Sequence, residues 1–282
     1  SITVLAFAIF ADEPVDVVIL EVGIGGSWDS TNVADGIVSV VAPVGLDHTD
    51  MLGDTLAEIA TEKAGIIKPD GYLISAAQDP EVATILLDTA RKQNAKYAFE
   101  GVEFGVVERD RAVGGQLLTL RGLAGEYPEI ELPLHGEHQG QNASLALAAV
   151  EAFFGGDRAL ARDVVLAGFA QVRSPGRLEM IRSEPLVVLD AAHNPHGVRA
   201  ASTAFKEAFE LSHVHAVVGI LGEKDALGIF EVLREEYVDS TDATFRLYLS
   251  ASDSSRAIAP EELQEIALDA GFEENIITVC DH

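Results

Sequence analysis

Hydrophobic positions along this chain change period several times, and each change predicts an element. Val15–Leu20 (VDVVIL) is a short, nearly continuous apolar run ending at Glu21 and a glycine turn. Ile37–Val44 (IVSVVAPV) is a second such run and Tyr72–Ala76 a third. Runs of this length, bounded by turn residues, read as buried strands. Between and after them, apolar residues at helical spacing predict helices over Thr55–Ala64 and Glu81–Asn94. Apolar strands alternating with helices specify a parallel α/β sheet covered on both faces.

The pattern then shortens. Val102–Leu134 alternates in brief stretches, turns at Arg111–Gly115 and carries no helical period, which predicts a small antiparallel excursion. Helical spacing returns over Gln141–Phe154 and Leu160–Phe169. Ser174-Pro175-Gly176 interrupts every period and marks the best boundary. Beyond it, strands over Leu186–Leu189, Ala216–Leu221 and Thr244–Leu249 alternate with helices over Pro195–Phe209, Leu227–Tyr237 and Pro260–Ala270. Two domains are expected, 1–173 and 174–282, the second a Rossmann-like α/β unit of ordinary domain size. The opening SITVLAFAIF reads as the end of a buried helix, and the absence of an initial methionine suggests a segment before Ser1.

Composition narrows the partners. With 48% hydrophobic residues the chain can build a real core, and disorder is excluded. The 46 acidic and 19 basic residues give a net charge of −27, which argues against nucleic-acid and anionic-membrane surfaces. No apolar run reaches the roughly 18 residues that cross a bilayer. The single cysteine, Cys280, allows no disulfide within the chain and favours a reducing, cytoplasmic setting.

Several polar residues stand where an ordinary fold does not require them. Glu21 and His48 each follow an apolar strand, and ligands of open parallel sheets bind at such ends. On neighbouring strands a carboxylate and an imidazole could share a divalent cation. The glycines of Val22–Gly26 admit either a close ligand or a tight turn. In the helix after Asp54, read as its N-cap, Glu58 and Glu62 fit a solvated face, whereas Lys63 lies only about 20° from Leu56 in the apolar stripe. Two readings are open: its stem packs there with the ammonium paired or in water, or burial leaves a partly neutral amine able to capture CO₂ as a carbamate. Asp190 and His193 lie between a strand end and a helix opened by Asn194 and Pro195, a natural place for an anion or a ribose.

Taken together, EVGIGGSWDSTNV (Glu21–Val33), GLDHTDMLGDTLAEIATEKAGIIKP (Gly45–Pro69), GEHQGQNASLALAA (Gly136–Ala149), SPGRLEMI (Ser174–Ile181), LDAAHNPHG (Leu189–Gly197), GILGEKD (Gly219–Asp225) and SSRA (Ser254–Ala257) span the chain. In that order they resemble the folylpolyglutamate synthases and bifunctional dihydrofolate/folylpolyglutamate synthases of the Mur ligase superfamily. The resemblance implies a P-loop-type central domain, truncated and carrying the β excursion, followed by the α/β ligase domain. It further implies a cytoplasmic, monomeric enzyme that phosphorylates a folate or dihydropteroate carboxylate with ATP and lets the amine of L-glutamate attack the acyl phosphate. On matching positions, Glu21 and His48 would bind Mg²⁺ and Lys63 would be the carbamylated lysine supporting a second metal ion. Asp29 would lie near the pterin, Asn142 at adenine, Arg177 at the phosphates, Asp190 at the ribose, and His193 beside the nucleotide in a catalytic role. Two positions depart from the family: Ser27 replaces the usual arginine and Ala191 the usual glycine. No G-x-x-x-x-G-K-[ST] loop occurs in the sequence, so these residues alone are expected to be inactive. A cell-wall ligase of the same superfamily and a non-catalytic remnant are the competing readings.

Overall fold

The computed structural model describes residues 2–13, 15–46 and 49–280, with only the backbone of Thr49 and Asp50. Contacts divide the chain into two units: Ser1–Arg109, Leu118–Ile130 and Gly140–Ala167 form one, and Asp110–Leu117, Glu131–Gln139 and Gly168–His282 the other.

The first unit begins α1 (Ile2–Asp12), β1 (Val38–Val41), α2 (Thr49–Leu52), α3 (Leu56–Ala64), β2 (Tyr72–Ser75), α4 (Pro80–Lys92) and β3 (Lys96–Phe99). Strands β1, β2 and β3 pair in parallel in that order, Val38 opposite Tyr72 and Tyr72 opposite Lys96. Strand alternation sends Leu73 to one face, where it packs with Ala60 and Ala64 of α3 and Val82, Leu86 and Ala90 of α4. Ile74 points to the other face, with Ala98 and with Leu145, Ala148 and Ala152 of α5 (Glu137–Phe153). Burial on both sides is why Tyr72–Ser75 carries apolar residues without alternation.

Three features of the first unit differ from the pattern reading. Residues 15–20 form no strand, and Val17, Val18 and Ile19 are exposed, Ile19 by 93%. A strand needs a partner ladder, and no described element supplies one there. Segment α1 does form, because a helix satisfies its backbone internally, but none of its residues is buried. Its apolar composition therefore marks a helix, not the buried helix expected. Thr55, not Asp54, caps α3: Glu58 N–H donates to Thr55 Oγ1 at 3.2 Å, and Thr55 N–H donates to Glu58 Oε2 at 3.1 Å. This reciprocal box satisfies two amides where Asp54 would satisfy one. It also gives Glu58 a structural task that a solvated-face reading omits.

The excursion consists of β4 (Gly105–Ala112), β5 (Gly115–Arg121) and β6 (Glu126–Leu132), paired in that order. Behind it, the wholly buried Glu151 of α5 acts as an acceptor hub. Tyr127 Oη donates to it at 2.6 Å, Ala124 N–H at 3.3 Å, and Leu123 N–H also donates. Tyr127 in turn accepts from Leu160 N–H at 2.7 Å, ahead of α6 (Arg162–Ala170). Burial, reinforced by the hydrogen bond to Glu151, pushes the Tyr127 hydroxyl up to about 12. The folded state thus holds this proton more tightly than the unfolded chain. The resulting stability is complete below about pH 10 and is lost as pH rises through about 12. The gap in melting temperature between wild type and Tyr127→Phe is therefore expected to narrow over that interval. A gap independent of pH would contradict the assignment.

The second unit continues with β7 (Glu179–Ser183), β8 (Leu186–Leu189), α7 (Pro195–Ala208), β9 (His213–Val218), α8 (Ala226–Arg234), β10 (Thr244–Leu249), α9 (Pro260–Asp269) and β11 (Ile277–Val279). Strands β7 and β8 form an antiparallel pair with an irregularity between Met180 and Arg182. Strand β10 lies between β9 and β11, parallel to both. Val214, Ala216, Val218, Phe245, Leu247 and Leu249 turn towards Ile229 and Phe230 of α8 and Leu263 and Ala267 of α9. On the opposite face His213, His215 and Val217 are exposed, Val217 by 72%. This sheet is covered on one side, which explains both the alternation of HVHAVV and the strand's start at His213, not Ala216. The helix read to Tyr237 is α-helical only to Arg234, then continues as a π-turn over Glu235–Asp239 that buries Tyr237. Among the described residues no helix is long and apolar enough to cross a membrane.

Candidate functional site

The glycine-rich segment after Glu21 docks on the last turn of α3. Ser27 N–H donates to Glu62 O at 3.0 Å. Trp28 N–H donates to Glu62 Oε1 at 3.2 Å, and Ser27 Oγ donates to Glu62 Oε2. The approach is so close that a Cβ on Gly26 would lie 2.5 Å from Glu62 O and 2.9 Å from Lys63 Cα. A Cβ on Gly65 would collide with Ser27 Cβ. At Gly26 the absent side chain admits a close approach to the protein's own helix, a role that neither reading of these glycines named. Asn32 seals the edge, with Nδ2 donating to Ser27 O at 3.0 Å and Gly65 O at 3.1 Å, while Lys68 Nζ donates to Asn32 O at 2.7 Å.

Asp29 organises the segment from within. Its Oδ1 accepts from Thr31 N–H at 2.8 Å and Thr31 Oγ1 at 2.6 Å, and its Oδ2 from Gly23 N–H at 3.1 Å and Ile24 N–H at 3.4 Å. The Thr31 hydroxyl leads the set of donors that hold this carboxyl below its ordinary range. Oδ1 thus caps the Ser30–Val33 turn, while Oδ2 ties that turn back to Gly23 and Ile24. The geometry shows Asp29 organising the loop, alongside the place near the pterin that the resemblance implies for it.

Lys63 is half-buried like Leu56, beside the buried stripe of Ile59, Ala60 and Ala64. Among the described residues its ammonium makes no hydrogen bond or ion pair, and Glu62 directs both oxygens to the loop. Glu21 is exposed and its carboxylate likewise has no partner among the described residues. His48 lies outside the described residues. Within those described, no three His, Cys, Asp or Glu side chains gather as a metal site. The sequence reading missed Glu62 and Asn32, since a glutamate on a helix surface and an asparagine in a turn carry no signal of their partners.

In the second unit, Asp190 ties the end of β8 to the turn before β7. Its Oδ2 accepts from Leu178 N–H at 2.9 Å and its Oδ1 from Ala192 N–H at 2.8 Å. Ala191 N–H donates to Gly176 O at 2.8 Å, so the turn bearing the exposed Arg177 is held to the strand end. Leu178 is kept there at φ 46°, an uncommon backbone for a leucine. His193 is exposed, its Nδ1 3.1 Å from Ala191 O. A carbonyl can only accept, so Nδ1 carries the hydrogen of this bond and Nε2 is not used by it. Asn194 caps α7 by accepting Gly197 N–H at 2.7 Å, as its position before Pro195 predicts. GILGEKD and SSRA also meet: Arg256 Nη1 donates to Glu223 Oε1 at 2.7 Å, and Gly222 N–H to Arg256 O at 2.8 Å. Asn142 belongs to α5 of the first unit, on its exposed side.

Known proteins are similar to this chain in sequence and fold. The chain is 47% identical over 278 residues to the dihydrofolate synthase/folylpolyglutamate synthase of Mycobacterium tuberculosis, covering 96% of this chain and 55% of the relative. It is 34% identical over 225 residues to the folylpolyglutamate synthase of Lacticaseibacillus casei, covering 79% and 52%. The chain therefore spans about half the length of these relatives. A crystal structure of the M. tuberculosis synthase complexed with ADP and AMPPCP superposes with a TM-score of 0.91 at 45% identity, covering 99% of this chain and 62% of that one. An FPGS–AMPPCP–folate complex gives 0.82 at 30% identity, covering 99% and 66%. Residues 2–150 match the Mur ligase middle domain and residues 176–281 the Mur ligase glutamate ligase domain. With these two domains in succession, the chain belongs to the Mur ligase family.

Proposed function

We propose that the protein carrying this chain is an ATP-dependent ligase that joins L-glutamate to a folate, with dihydropteroate as a second acceptor. The observation that carries this reading is the 47% identity, sustained over 278 residues, to a dihydrofolate synthase/folylpolyglutamate synthase. Complexes of similar proteins with ADP, AMPPCP and folate support the same substrates here. In this reading the enzyme works as a cytoplasmic monomer. The sequence holds no G-x-x-x-x-G-K-[ST] loop, so the 282 residues by themselves are proposed to bind ATP weakly and to be inactive.

The chemistry proceeds in two balanced steps. The substrate carboxylate takes the γ-phosphoryl group of ATP, giving an acyl phosphate and ADP. The glutamate amine then attacks the acyl carbon, phosphate leaves, and the amine proton passes to solvent or a base. Glu21, His48 and a carbamylated Lys63 would supply oxygen and imidazole donors for Mg²⁺; among the described residues neither the Glu21 carboxylate nor the Lys63 amine has a partner, which suits that task. The metal, when bound, offsets negative charge on the transferring phosphoryl group. Carbamylation would add CO₂ to the Lys63 nitrogen with loss of two protons from the ammonium, exchanging a cation for an anionic oxygen donor. Asp29 and the glycines shape the segment between Glu21 and Asn32. The loop fastened by Asp190 presents Arg177 for phosphate oxygens, Asp190 retains acceptor capacity for a ribose hydroxyl, and His193, bound to Ala191 O through Nδ1, keeps Nε2 for a catalytic role beside the nucleotide. Asn142 is proposed to contact adenine.

The test is ATP-dependent incorporation of labelled glutamate by the protein that carries this chain. Product is expected with a reduced folate or dihydropteroate. Ligation confined to a muramyl peptide would replace this reading with a cell-wall ligase.

A further inference from the structure

We infer that Glu62 is a positioning residue, a carboxylate clamp joining the glycine-rich loop to the helix end that bears Lys63. Three acceptors of this one residue serve the loop: its carbonyl takes Ser27 N–H, and its two carboxylate oxygens take Trp28 N–H and the Ser27 hydroxyl. Hydrogen bonds to a charged acceptor are about twice as strong as neutral ones, so this is the firmest attachment available to an exposed loop. The two glycines make it possible. Gly26 rests on the backbone of Glu62 and Lys63, and Gly65 leaves room for Ser27.

The clamp reaches towards Glu21 by a second tether. Asp29 binds Gly23 and Ile24 through their N–H groups, so residues 23–31 form one hydrogen-bonded piece. Holding Ser27 and Trp28 therefore also holds the chain just after Glu21. Asn32 and Lys68 brace the same piece from the other side of Gly65. Glu62 thereby sets how Glu21 and Lys63 stand to one another without touching substrate. The inference concerns the site of the proposed ligase, and its importance for turnover rests on that reading; the clamp itself rests on contacts.

Peptide-resolved hydrogen exchange on this chain tests it. In Glu62→Ala, amides within 23–32 are expected to exchange about tenfold faster, while those of β2 and α4 keep their rates. Glu62→Gln is expected to restore most of the protection, since its amide oxygen still accepts from Trp28 and its NH₂ can donate to Ser27 Oγ. Trp28, the single tryptophan, gives a second readout through a shifted emission spectrum in the alanine variant only. Unchanged exchange in 23–32, or an equal rise in β2 and α4, would overturn the clamp. No substrate enters the measurement, so failure of the ligase reading leaves this result standing on its own.

Discussion

Glu151→Ala is expected to destabilise the first unit by about 3–5 kcal/mol and to lower its melting temperature by roughly 10 °C. The carboxylate is wholly buried and accepts from Tyr127 Oη, Leu123 N–H and Ala124 N–H. Truncation leaves those donors in a cavity without an acceptor, and each buried, unpaired donor costs about 1–3 kcal/mol. The backbone donors cannot be withdrawn, because they belong to the turn between β5 and β6, closed by Gly122 N–H to Gly125 O at 2.7 Å. Glu151→Gln retains one acceptor oxygen and is expected to lose about half as much. Calorimetry of both variants decides the matter. A loss under about 1 kcal/mol in the alanine variant would mean that the turn finds other acceptors.

Gly26→Ala is expected to release the glycine-rich loop, at a cost of about 2–3 kcal/mol, and to reduce glutamate ligation at least tenfold if the proposed activity holds. The new methyl would sit 2.5 Å from Glu62 O and 2.9 Å from Lys63 Cα. Both are backbone atoms of α3, which packs through Ala60 and Ala64 onto the sheet and cannot retreat. The loop must therefore move, taking Ser27 and Trp28 away from Glu62. Gly45→Ala is the control, because a Cβ there would meet nothing within 4 Å. Trp28 emission and melting temperature should change in the first variant and stay constant in the second. Equal behaviour of the two would show that the loop adapts without leaving its seat.

Much of the fold was legible in the pattern. Tyr72–Ser75, buried on both faces, read correctly as a strand because its composition has no polar side. Asn194 and Pro195 announced the start of α7, since capping chemistry is local. Where the reading failed, a partner distant in sequence decided. Val15–Leu20 has the composition of a strand but no ladder beside it among the described residues, and β11 is only three residues long, held by pairing with β10. The site divides likewise. Lys63 stood out because a lysine interrupted an apolar stripe, whereas Glu62 looked like any surface glutamate and became significant only through Ser27 and Trp28.

The sequence by itself determined the α/β class, the ordered motifs that mark the family, the cap that opens α7 and the residues whose chemistry is out of place. These follow from periodicity, local hydrogen bonding and composition, which act within a few residues. Only the tertiary structure decided that the glycines of the Glu21 loop serve contact with α3, that Asp29 caps its own turn, and that Asp190 fastens Leu178 and Ala192. Those outcomes depend on which backbone amides are brought within about 3 Å of a carboxylate, and chain closure, not local pattern, makes that selection.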